Sequence, residues 1–270
     1  MVKEVIDTLK RSSLLKSLVL VLLMAVMMPT SVFAANDEIT NSDVNKLQDI
    51  DFSKEPSKYE KEILNEYYKK DSERIFNESY GDYIYNRDML NIRNELENKN
   101  TSLNYTKESN LNNLDMATFR SGSSLGTYGD ILVTYSFSSF GIDVAATGHA
   151  AIVHNNSNYT VESFPDGGVR VYNNDWANKS KVYGVRVKGA SGSDYTNAAS
   201  YALTQANSQK PYNWNFFNKG TTDSFYCSQL VWRAWKNQGY EVDRMNLGDW
   251  EPVSPAELVG GDGTYVFYKD

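Results

Sequence analysis

Cysteine is nearly absent from this sequence. Cys227 is the only one in 270 residues. An intramolecular disulfide is excluded, because a bridge needs two thiols. Histidine is almost as scarce, with His149 and His154 alone. One thiol and two imidazoles lack the number and spacing of zinc ligands, although carboxylates can add some. No metal and no cofactor is expected. Positive charge is in deficit, with 27 Lys and Arg against 34 Asp and Glu, a net charge of −7. That balance disfavours nucleic acid or an anionic surface as a partner bound through net charge, and leaves room only for a local basic groove. Six prolines and 13% aromatic residues suit an ordinary globular chain. The length is enough for one domain of moderate size plus an extra segment.

The first residues read as an export signal. Lys3, Lys10, Arg11 and Lys16 precede an apolar run from Ser17 to Met28, closed by Pro29. Small residues then stand at Ser31, Ala34 and Ala35, where a signal peptidase reads. A transmembrane anchor is the rival reading, but the apolar run is short for a span and ends at a cleavage-like site. The expectation is a signal peptide over residues 1–34, with a secreted or cell-wall-associated product that keeps no membrane anchor. Its loss removes four basic and two acidic side chains and moves the net charge from −7 to −9. In an oxidising compartment the single thiol is a buried inert group, an intermolecular bridge or a nucleophile.

Two textures follow. Residues 35–120 form a helical and polar N-terminal region with a linker. Within it, residues 36–56 read as extended and polar. Tyr59, Ile63, Leu64, Tyr67, Ile75 and Phe76 recur at helical spacing over residues 57–79. Gly81 is expected to interrupt the helix before a second one over residues 89–96. The Asn-, Ser- and Thr-rich stretch 98–113 reads as linker. The region is a helical spacer or subdomain, or else a pro-segment that covers an active site.

Residues 121–270 form the second unit. Short β-type runs lie at 130–135, 149–153, 159–164, 169–172 and 182–187. Helices are predicted over residues 195–208 and 227–238, and a strand over 265–268. Strands followed by helices predict an α+β domain with an antiparallel sheet.

Cys227 opens one of those helices. Free N–H groups and the helix dipole at that end favour the thiolate, and the same N–H groups suit an oxyanion. His149 starts a strand, and a hairpin closed at 155–158 pairs residues whose numbers sum to 313. Glu162 then lies diagonal to His149 on the same face, placed to orient the imidazole. A one-residue slip puts Glu162 on the other face. His154 has the opposite parity and reads as a turn residue. Trp214 and Trp232 read as core aromatics rather than substrate platforms, and Arg170 as an exposed strand residue.

These segments carry a resemblance. Pro211-Tyr212-Asn213-Trp214 and Tyr226-Cys227-Ser228-Gln229-Leu230-Val231-Trp232 resemble the nucleophile segment of NlpC-type papain-like cell-wall peptidases. Gly129-Asp130-Ile131-Leu132-Val133 resembles that family's Gly-Asp-Leu-Val strand, and Gly148-His149-Ala150-Ala151-Ile152-Val153 its histidine strand. In that family the cysteine precedes the histidine. Here the order is reversed, so the chain resembles the circularly permuted branch, the YiiX/YycO-type amidases. The resemblance covers about residues 121–270. It implies a permuted papain-like fold, with Cys227 as nucleophile, His149 as base and Glu162 as the orienting third member. It also implies that Tyr212 lines the site and assists at the oxyanion. Tyr226 and Gln229 depart from the family's Asp and Gly, at positions where substrate would lie.

The expected activity is a cysteine amidase acting through a thioester, on a cell-wall peptide or another amide or ester. The alternatives are acyl transfer or lipid-ester cleavage by the same pair, and a non-catalytic binding module. The sequence leaves the oligomeric state open.

Overall fold

In the computed structural model, residues 39–51, 54–101, 120–122, 124–135 and 148–270 are described. The expected signal peptide and most of the expected linker lie outside them. Six strands form one antiparallel sheet: β3 (Ile131–Thr134), β4 (His149–Val153), β5 (Tyr159–Phe164), β6 (Gly168–Asn173), β7 (Val182–Val187) and β8 (Thr264–Lys269). Their order is β6-β5-β4-β3-β7-β8. A two-stranded ribbon, β1 (Arg120–Ser121) and β2 (Ser124–Leu125), stands apart from it. The domain is α+β. β3 and β4 are buried at every residue. They read as apolar runs because the sheet is covered on both faces.

One face packs on helices. Ala150, Ile152 and Val161 share a core with Leu230, Val231 and Trp235 of the helix Cys227–Lys236, and with Ala198 and Ala202 of the helix Gly192–Asn207. The opposite face holds Leu132, Ala151, Val153, Trp176 and Val182. Alternation along β4 thus sends His149 toward Trp176, while Ala150 faces the cysteine helix.

Among its described residues, the N-terminal region contributes three helices: α1 (Asn41–Gln48), α2 (Lys58–Ile75) and α3 (Glu78–Thr101). The helices of the sheet domain follow as α4 (Gly192–Asn207) and α5 (Cys227–Lys236). Two expectations are corrected here. Residues 41–48 are helical rather than extended, started by a capping box in which Thr40 and Asp43 satisfy each other's backbone N–H. Gly81 lies inside α3 rather than between helices. A Cβ there would meet the Tyr183 hydroxyl at 2.1 Å and Lys269 at 2.7 Å. The glycine serves close packing of α3 on the sheet and does not break the helix.

Ile75, Phe76, Tyr80 and Ile84 join the same core as α5. The Tyr183 hydroxyl donates to the Ile75 carbonyl (2.9 Å), and Asp88 accepts from the Val266 N–H (2.9 Å). α2 also reaches a buried charge cluster beyond α5. The Tyr68 hydroxyl donates to Glu251 (3.0 Å), and Asp71 pairs with Arg244. No described helix is long and apolar enough to cross a membrane.

Candidate active site

The site begins at a hairpin. Ile152 pairs with Val161 and Val153 with Thr160, so paired numbers sum to 313 as the loop length predicts. Glu162 therefore shares a face with His149, and His149 Nε2 lies 2.7 Å from Glu162 Oε2. Gly148 sets the approach to that strand. Its φ is +128°, and a Cβ would stand 2.6 Å from the Thr134 carbonyl oxygen, so only glycine fits.

Three side chains fix Glu162. Besides His149, Trp176 Nε1 donates to Oε1 at 3.1 Å, and the Thr160 hydroxyl donates to the same oxygen. The imidazole lies between two rings: Phe164 stacks at 4.3 Å, and Trp176 is nearly parallel at 6.0 Å. The carboxylate and the ring are both buried, so each needs a partner, and each supplies the other's. The signal for Thr160 was present, since it sits two residues from Glu162 on one strand. Trp176 arrives from a 3-10 turn (Trp176–Asn178) after β6, and its place is invisible to strand periodicity.

Cys227 is the first residue of α5 and is buried. With Nε2 committed to Glu162, the imidazole's other nitrogen serves the sulfur. The Cys227–His149 hydrogen bond shifts both groups. Burial alone pushes the thiol up. The bond to His149, the imidazolium charge and the backbone N–H groups of Ala150 and Ser228 outweigh burial and leave it below its ordinary value. Burial alone lowers His149; the bonds and charges of Cys227 and Glu162 reverse that and raise it from 6.5 to about 9. Burial raises Glu162 and His149 lowers it, with a net shift downward. All three shifts favour a thiolate–imidazolium pair backed by a carboxylate.

Residues 127–249 match the family described as permuted papain-like amidase enzymes, YaeF/YiiX, C92 family. That segment is similar to permuted papain-like amidases over 123 of the chain's 270 residues. The crystal structure of metalloprotein yiiX from Escherichia coli O157:H7 is similar at 20% identity and a TM-score of 0.41, over 53% of this chain and 97% of that one. No curated protein matches the chain. For residues 127–249, the similarity implies cysteine-dependent amide hydrolysis.

Tyr212 stands close enough to Cys227 to feel its charge. Burial, and then the charge on Cys227, hold its phenol protonated, so it remains a donor. The two departures from the family motif are placed differently from expectation. Tyr226 and Gln229 are buried and do not line a substrate path. Tyr226 Oη accepts from the Val253 N–H at 3.0 Å. Gln229 Oε1 accepts from the Tyr226 N–H (3.1 Å) and from Asn213 Nδ2 (2.9 Å), and its Nε2 donates to the carbonyls of Lys219 and Thr221. A glycine there would make none of these bonds. Trp232 is a core residue as expected, but Trp214 is 54% exposed. His154 sits at the hairpin loop, accepting the Asn156 N–H on Nδ1 (2.8 Å). Arg170 is half-buried and donates to the Val169 carbonyl.

Asp243, Glu251 and Glu257 place carboxylate oxygens within 4.8 Å of one another, close enough for a cation. The Lys219 ammonium already occupies that space, paired with Asp243 and 3.2 Å from Glu251. A cavity of about 580 Å3, lined by Thr127, Asp130, Arg186 and Tyr195, opens at the other end of β3 from His149.

Proposed function

We propose that this protein is an exported cysteine amidase that opens an amide bond in a cell-wall peptide. The observation that carries the reading is the convergence of Cys227, His149 and Glu162, with a thiol held down and an imidazole held up in pKa. The Cys227 thiolate attacks the carbonyl carbon. Backbone N–H groups at the α5 start and the Tyr212 hydroxyl face the oxyanion. His149 gives its proton to the leaving nitrogen, the C–N bond breaks and a thioester remains. His149 then takes a proton from water, which attacks the thioester and frees the acid and the thiol. Glu162 keeps the ring oriented through both steps. The basic and apolar start of the chain supports export.

The test is incubation of the mature protein with murein peptides and acyl lipids, alongside Cys227→Ala. Release of a new amine and acid by wild type only is the expected result, with the acyl-enzyme mass on Cys227 trapped at acid pH. Hydrolysis that survives Cys227→Ala overturns the reading. Products formed only when an amine or alcohol acceptor is added identify acyl transfer instead.

A further inference from the structure

Trp214 is large, apolar and half in water, yet it is held in place. Its neighbour Asn213 donates from Nδ2 to Gln229 Oε1 (2.9 Å) and to the Asn218 carbonyl (3.2 Å), and accepts from the Asn215 N–H (2.9 Å) on Oδ1. Gln229 belongs to the first turn of α5, the turn that presents Cys227. The Tyr212 ring packs edge-on against Trp214 with centroids 5.0 Å apart, and Tyr212 feels the Cys227 charge directly. Pro211 and Phe225 close the segment through a backbone bond of 3.1 Å. The exposed indole is thus fixed relative to the sulfur by buried hydrogen bonds and ring contacts. On the histidine side, Phe164 covers His149, and Tyr172 packs edge-on against Phe164 at 5.0 Å.

Keeping a rigid indole half in solvent forgoes much of the stabilisation that burial of a large apolar side chain supplies on folding. A surface ring needs no such scaffold. We infer that Trp214 is a specificity-determining residue, the platform for an uncharged apolar group carried next to the scissile carbonyl. The inference rests on the Cys227 nucleophile of the reading above and narrows its substrate to one with an apolar group at the scissile bond. The preferred amide or ester bears a bulky hydrocarbon or aromatic group beside the bond that breaks, and a stem of small and charged residues alone leaves the platform unused. Gln229 acts as a positioning residue, since it ties the platform to the nucleophile helix.

The experiment uses two series on the mature protein: p-nitrophenyl esters from acetyl to octanoyl, and N-acetyl amides of increasingly apolar amines. Wild type is compared with Trp214→Ala, Trp214→Gln and Trp214→Phe. Wild type is expected to prefer the largest apolar member of at least one series by about tenfold or more, a figure below the burial of two methylenes. Trp214→Ala and Trp214→Gln should flatten that preference through KM, slowing the largest members at least tenfold more than the smallest, and Trp214→Phe should restore most of it. Gln229→Ala should weaken the preference without changing which series shows it. A wild type without preference in both series, or a preference kept in both variants, overturns the inference. Cys227→Ala, run on the same substrates, tests the nucleophile separately: activity surviving there sinks the mechanism, whatever Trp214 does.

Discussion

Two clusters of buried charge lie on opposite sides of α5, and they balance differently. At its start, Cys227, His149 and Glu162 supply two potential anions and one potential cation, and every charged group has a designated partner. Behind it, Lys219 pairs with Asp243 and Glu251, and Glu257 lies beside them with only the pull of Arg244, which is itself paired with Asp71. Burial, then carboxylate repulsion, pushes Glu257 well up, and its Oε1 finds no hydrogen-bond partner. Glu251 is raised to about 7 by burial, against the opposing pull of Lys219. In the first cluster burial is overcome by pairing, and the chemistry of a thiolate results. In the second it is not, and protons must supply the missing positive charge. Burial by itself therefore does not mark a reactive site; the ratio of partners to charges does.

The sharpest way to break the comparison is to remove one member from each cluster. His149→Asn, which keeps an N–H donor for buried Glu162, should cost about 10²–10⁴-fold in activity and change the denaturation midpoint far less than it changes the rate, as steady-state kinetics and urea titration will show. Lys219→Met should do the reverse. It strands three carboxylates and should cost about 3–5 kcal/mol of stability, measured by chemical denaturation near pH 8. A strongly destabilised but active His149→Asn beside a stable Lys219→Met would invert the assignment of the two clusters.

A second pair of effects concerns pH. The productive pair exists between the lowered thiol pKa and the raised imidazolium pKa, so kcat/KM should rise through the first and fall near pH 9. Glu162→Gln removes the carboxylate that helps hold His149 protonated, and the alkaline limb should move to lower pH with a smaller maximum. An unmoved limb would remove Glu162 from the triad. The rear cluster carries the opposite sign for its acids. A carboxyl whose folded pKa is raised binds protons that the unfolded chain has released, so stability declines as pH rises from about 4.5 through about 7. Glu257→Gln should relieve part of that cost, raising the Tm by about 2–4 °C per kcal/mol gained at pH 8 and by less at pH 4.

The smallest expected effect is that of Trp176→Phe. It deletes one donor to Glu162 while keeping a ring beside His149, and a several-fold fall in kcat with little change in KM is expected. A change confined to the melting curve would make Trp176 a packing residue only.

Much of the site was legible because period-two alternation and a four-residue loop leave little freedom. Once His149 and Glu162 were read as strand residues, the hairpin had to place them on one face. What was not legible came from loops and from side chains that replace glycine. Trp176 reaches Glu162 from an irregular turn, and no spacing announces that. Gln229 was read by the family's geometry as a substrate-side position. In this chain a long amide side chain there turns inward and bonds four backbone or side-chain groups. Propensity marks Gly81 as a helix break, but the helix continues through it, with the Tyr183 hydroxyl and the Lys269 side chain packed where a Cβ would stand. Helix α1 was missed because its capping box sits in a polar stretch where Leu47 and Ile50 are too few to set a period.

The order of strands and helix also has a meaning in time. His149 and Glu162 lie in a hairpin of local contacts that is complete as soon as β5 has emerged. Cys227 follows only after β6, β7 and α4, and the sheet is not closed until β8 pairs with β7 near the last residue. A chain emerging from its N-terminus thus assembles the base and its carboxylate first and meets its nucleophile late. A truncated or stalled chain ending before α5 lacks both the sulfur and the helix that covers this face of the sheet, so the thiol and the core that holds it arrive together.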